Sequence, residues 1–176
     1  MTQTPGPTTN QTPAETPPSL GAVATDGGPV LLGPRRAFAS WEGSRADAAP
    51  LGDYHDACAF LGAYGVLERE GLSVTVLPAQ VVEVLDPGDG TLWLTLEGMI
   101  EELWLERASI VFKPLRRTIE ADELVLLDAA YPLSLAVDET DRFFELPLQA
   151  ERYELDHGSE KDHGGYFVVL RFRPAA

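Results

Sequence analysis

The chain has almost no sulfur, no long apolar run and few cations. Its single cysteine, Cys58, excludes an internal disulfide framework and any zinc site built on cysteines. No apolar stretch approaches the ~20 residues a membrane-spanning helix needs, which predicts a soluble chain with no membrane partner. The first 28 residues contain no Lys, Arg or aromatic residue, so the basic start of a secretory signal is missing, as is its apolar run. A cytoplasmic protein is the resulting expectation. Lys and Arg number 13 against 28 Asp and Glu, a formal net charge of −15. That is the wrong sign for gripping phosphates, so nucleic acid is excluded as a partner. Also missing are a nucleophile elbow, a P-loop, a dinucleotide fingerprint and any Ser/His/Asp set, which leaves no enzyme and no cofactor to expect.

What is present divides the chain in two. Residues 1–28 hold seven Thr and five Pro, a composition that cannot bury enough apolar surface to offset ordering, and they read as a disordered tail. Residues 29–176 are of ordinary size for one domain. Within them, Pro29-Val-Leu-Leu32 reads as a buried strand. Arg35 to Gly43 suits a short helical turn, and Asp53 is placed to cap a short helix near 53–61. Leu72–Leu77, Val81–Leu85 and Thr91–Leu96 read as strands, the last two forming a hairpin around Asp86-Pro-Gly-Asp-Gly90. The clearest helical spacing lies at about 97–108, with Met99, Ile100, Leu103 and Trp104 on one face. Further strands are expected at 110–112, 123–127, 133–137, 142–148, 152–155 and 166–172. The predicted class is α+β, strand-dominated and mostly antiparallel.

Two stretches invite a chemical reading. Cys58 lies three residues after His55, but Asp53 and Asp56 flank the pair, and neighbouring negative charge disfavours a thiolate. It reads as a buried packing residue. Asp156-His-Gly-Ser-Glu-Lys-Asp-His163 offers His157, Glu160 and His163 as metal ligands, yet the spacing matches no established motif, and a polar hairpin loop is the better reading. Between Glu120 and Asp162 thirteen acids face only Arg142, Arg152 and Lys161. This concentration fits a basic protein partner, with Asp138, Glu139, Asp141, Asp156, Glu160 and Asp162 as the candidate partner-facing acids. Charge that merely maintains solubility explains it equally well.

The order Gly-Gly28-Pro-Val-Leu-Leu-Gly-Pro34, then Trp41 with Gly43, then Asp53-Tyr54-His-Asp-Ala-Cys58 resembles the opening of a bacterial family of polymorphic-toxin immunity proteins, immunity protein twenty-one. Glu123-Leu-Val-Leu-Leu-Asp-Ala-Ala-Tyr131 is similar to a recurrent run of that family, and Arg152-Tyr153 and 166–174 to its closing strands. His55 departs from the family's Asp. The resemblance implies a non-enzymatic protein that binds a cognate toxin domain and blocks it. It implies a fold-defining role for Gly28 in a tight turn, for Trp41, Asp53 and Tyr54, and for Cys58 in packing. A small-ligand or regulatory binding module is the alternative, followed by a metal-dependent hydrolase using the 156–163 loop.

Overall fold

The computed structural model describes residues 17–44, 53–60, 64–97, 110–120, 122–160 and 167–175. Eleven strands among them form two antiparallel sheets. The larger sheet has the order β1-β5-β6-β11-β10-β7, from Ser19–Ala24 (β1), Val81–Leu85 (β5), Leu92–Glu97 (β6), Phe167–Pro174 (β11), Arg152–Glu160 (β10) and Ile110–Glu120 (β7). The smaller has the order β3-β4-β2-β8-β9, from Gly65–Arg69 (β3), Leu72–Leu77 (β4), Val30–Pro34 (β2), Leu124–Asp128 (β8) and Phe143–Glu145 (β9). Two short helices, Asp53–Cys58 (α1) and Leu133–Ala136 (α2), accompany a 3-10 turn at Arg35–Phe38. This is the strand-dominated, antiparallel α+β architecture that the alternating apolar patterns predict.

The sheets pack face to face. Val30 and Leu32 of β2, Leu124 and Leu126 of β8, Val82 and Val84 of β5, Leu94 of β6, Leu155 of β10 and Phe172 of β11 share one apolar cluster between them. The alternate residues of the smaller sheet, Leu31, Val74, Val76, Val125 and Leu127, lie in a second cluster with Phe38, Trp41, Ala57 and Ala136, which come from the 3-10 turn and the two helices. Strands β2 and β8 are therefore covered on both faces. That is why Val30-Leu-Leu32 and Leu124-Val-Leu-Leu127 are continuous apolar runs, where a half-buried strand would alternate.

Three expectations need correction. The disordered tail does not extend to residue 28: Ser19–Ala24 is the edge strand β1, paired with β5, and Val23 is fully buried. Its sequence, Ser-Leu-Gly-Ala-Val-Ala, carries little apolar area of its own; the ladder to β5 supplies what composition cannot reveal. Residues 133–137 are not a strand. Pro132 takes an extended conformation and its carbonyl accepts from both Leu135 and Ala136, closing the single turn of α2. In so short a window Leu-Ser-Leu-Ala-Val fits a period of two as well as a helical one, and Leu135 on the outer face is half exposed. The strand expected at 142–148 shrinks to Phe143–Glu145, ending before Pro147. The helix expected at about 97–108 falls outside the described residues except for Glu97, which ends β6; Trp104 lies outside them too. Strand β3 was not anticipated. No helix among the described residues is long and apolar enough to cross a membrane.

Candidate interaction surface

The residues of the opening motif come together around β2 and the end of β8, as scaffold. Gly28 lies against the Tyr54 ring, where a Cβ would stand 2.8 Å from Cε2. The left-handed turn residue beside it is Gly27, with φ of 117°, so Gly28 serves close approach rather than the turn expected of it. Trp41, 2% exposed, meets Phe38 edge to face at 6.3 Å and donates its indole N–H to the Ala129 carbonyl at 2.8 Å. Gly43, at φ of 66°, passes so close to the Ala130 carbonyl that a side chain has no room. Ser44 donates to that same carbonyl from backbone and side chain. Asp53 opens α1 and accepts from Arg69, whose guanidinium lies 5.9 Å from the Trp41 ring centre.

Tyr54 and Cys58 share one face of α1, four residues apart. Burial, then the hydrogen bond with Cys58, pushes the Tyr54 hydroxyl up to about 12. The expectation that Cys58 is buried is overturned: it is exposed, and Ala57 is the residue of α1 that enters the core. One helical step rotates Cys58 by about 100° from Ala57, toward an open cleft of about 240 Å³ beside Gly28, Pro78 and Gln80. His55 pairs at 4.0 Å with Asp56.

The 156–163 stretch is also rearranged. Asp156 to Glu160 continue β10, paired with β7 throughout and with β11 as far as Ser159, so this is ladder where a loop was expected. Asp156 is 3% exposed and accepts from Arg171 at 2.6 Å and Arg173 at 3.2 Å. Burial opposes its charge, but the two arginines outweigh that and hold its carboxyl below the ordinary value. Asp156 is therefore a buried ion-pair partner and not a partner-facing acid. His157 sits half-buried in the ladder opposite Lys113 and Leu170. Asp162 and His163 lie outside the described residues, as does the side chain of Glu160. Among the described residues no three His, Cys, Asp or Glu are grouped to hold a metal.

The remaining candidate acids define a surface. After α2 the chain turns through Val137 to Arg142, presenting Asp138, Glu139 and Asp141 to solvent. Beside them in sequence, Leu135 and Val137 are 51% and 40% exposed, among the few large apolar side chains so placed. This corner is fixed from beneath. Arg142 donates to the Ala24 carbonyl at 2.8 Å, to Asp26 at 2.9 Å and to Asp128 at 3.1 Å, and lies over the Tyr131 ring at 5.1 Å. Asp128, fully buried, also accepts from the Ala130 N–H at 2.9 Å. Burial raises its carboxyl above the usual range, against the pull of that N–H and of Arg142. The Asp141 carbonyl accepts from Ala24 at 2.8 Å, joining the corner to β1. The acids were legible in the sequence; Leu135 and Val137 were not, because they were assigned to a strand.

No protein-family model, curated protein or solved structure matches the chain.

Proposed function

We propose that the protein is a non-enzymatic immunity protein that binds a cognate, basic toxin domain through the corner that follows α2. The observation that carries this reading is the company kept by Asp138, Glu139 and Asp141. They follow two exposed apolar side chains in sequence, on a segment tied by Arg142 to the buried Asp128. An apolar centre supplies contact energy, and an acidic rim selects and steers a basic partner. A segment already held by Arg142 loses little further freedom on binding, which favours affinity. The motif residues Gly28, Trp41, Asp53 and Tyr54 support the same reading by their packing: a family pattern that defines a scaffold leaves the surface free to vary with its partner.

The test is protection. The expected result is that cells expressing a toxin domain encoded beside this chain's gene are rescued by the wild-type protein. Rescue fails with Leu135→Asp combined with Val137→Asp, provided circular dichroism shows both proteins folded. Equal rescue by the two proteins would place the interface elsewhere.

A further inference from the structure

On a chain with a net charge of −15, the end of the larger sheet runs against the overall sign. Lys113, Arg116, Arg117, Arg171 and Arg173 all lie on β7 and β11. The β7–β10 ladder is interrupted there: Leu155 faces Arg117 and Asp156 faces Pro114, so Leu115 and Arg116 are left without partners in a bulge. Arg116 adopts a φ of 54°, a conformation that glycine takes freely and arginine does not. Bulges of this sort re-aim side chains and recur beside functional sites, and strain at a non-glycine residue persists only where the surroundings impose it.

Beside the bulge is an open groove of about 350 Å³, within the size range of small-molecule sites. Arg116, Arg117 and Arg173 line it, together with Thr118, Glu154 and Asp156. The two acids are already engaged. Arg173 binds Glu154 at 2.7 Å and Asp156 Oδ2 at 3.2 Å, and Arg171 closes on the same Asp156 oxygen while stacking on Phe112 at 3.8 Å. Of the adjacent arginines, Arg117 turns inward and Arg116 stays exposed. Arg117 is partly buried and donates at 2.9 Å to the Thr75 hydroxyl across the sandwich. No ion pair to a carboxylate is formed by Arg116 among the described residues, whereas Arg117 feels the Glu68 carboxylate. Burial lowers the Arg117 pKa, against the pull of Tyr64 and Glu68. The Arg117 guanidinium is thus directed between the sheets, and Arg116 is the arginine left to the groove.

We infer that this groove binds a small ligand carrying a phosphate or carboxylate oxyanion, with Arg116 as the donor that takes it. A planar guanidinium offers two parallel N–H groups to such an anion. The acidic remainder of the protein does not forbid this, because repulsion from charges beyond roughly 8 Å is screened at physiological ionic strength. The site is independent of the acidic corner and of the immunity reading.

The test is calorimetric titration of the full chain at low salt with inorganic phosphate and, separately, with citrate. Saturable binding of one ion per chain is expected for at least one of them, and the ion that binds tells phosphate chemistry from carboxylate chemistry. Arg116→Gly removes the cation and relieves the backbone. It should raise the melting temperature by about 2–4 °C while weakening binding at least about tenfold. Arg116→Gln tests the loss of charge without the backbone change and should weaken binding similarly. Arg36→Gln, which breaks a surface pair with Asp122, should leave binding as in the wild type. Failure of both ions to saturate, or wild-type affinity in Arg116→Gln, would overturn the inference.

Discussion

Cys58 and Asp156 are residues whose surroundings are set by packing that their neighbours in sequence do not announce. Cys58 ends α1 with its thiol exposed, next to the buried Ala57. Cys58→Ala should therefore change stability by less than about 0.5 kcal/mol. A thiol reagent should label the native protein nearly as fast as the unfolded chain; strong protection in the native state would return Cys58 to the core. Asp156 is the opposite case, an acid drawn inside by Arg171 and Arg173. Its folded pKa lies below the ordinary 3.8, so its stabilising contribution is complete above that value and is lost as pH falls below it. Asp156→Asn should cost about 3 kcal/mol near neutral pH, because it leaves two arginines short of their counter-charge. Denaturant melts from about pH 7 to about pH 3 should show the gap between variant and wild type closing toward the acid end. A gap that stays constant would mean that the Asp156 charge plays no part in stability.

At the scale of elements, what could be read from the sequence depended on how local the cause was. Strands β2, β4, β5, β6 and β8 were legible because β-branched and apolar residues recur with a strand's period or in a doubly covered run. The start of α1 was legible from Asp53 and from the spacing of Tyr54 and Ala57. Strand β1 was hidden, because its order comes from residues 57 or more positions away: the β5 ladder, Arg142 and the Asp141 carbonyl. The arginine groove was hidden for the same reason, since Arg116 and Arg173 meet only through the β7–β10–β11 register. Of the acidic corner, the charges could be counted but the apolar pair could not be placed. The β1 contacts carry their own test. A chain beginning at Gly27 loses the burial of Val23, worth about 1.5–3 kcal/mol, and two of the partners of Arg142. Against a chain beginning at Pro17, its melting temperature should fall by about 5–10 °C. Equal melting temperatures would show that β1 contributes nothing to the fold.

Over the whole molecule, the two sheets and their helical cover hold charge of both signs in separate places. The acids after α2 follow two exposed apolar side chains in sequence, while the arginines collect on β7, an edge strand of the larger sheet, and on β11 within it. A net charge of −15 accelerates encounter with a basic partner, and rim acids act on association more than on dissociation. Exposed apolar anchors act in the other direction, on how long a complex lasts. The most direct measurement is the association rate with the proposed toxin partner across a salt series, for the wild type and for the combined variant Asp138→Asn, Glu139→Gln and Asp141→Asn. The wild-type rate should fall steeply as salt rises, and the variant should associate more slowly at low salt with a flatter dependence. At high salt the two should converge, with similar dissociation rates throughout. A wild-type rate indifferent to salt, or a variant indistinguishable from it at low salt, would contradict the claim that this corner receives the toxin.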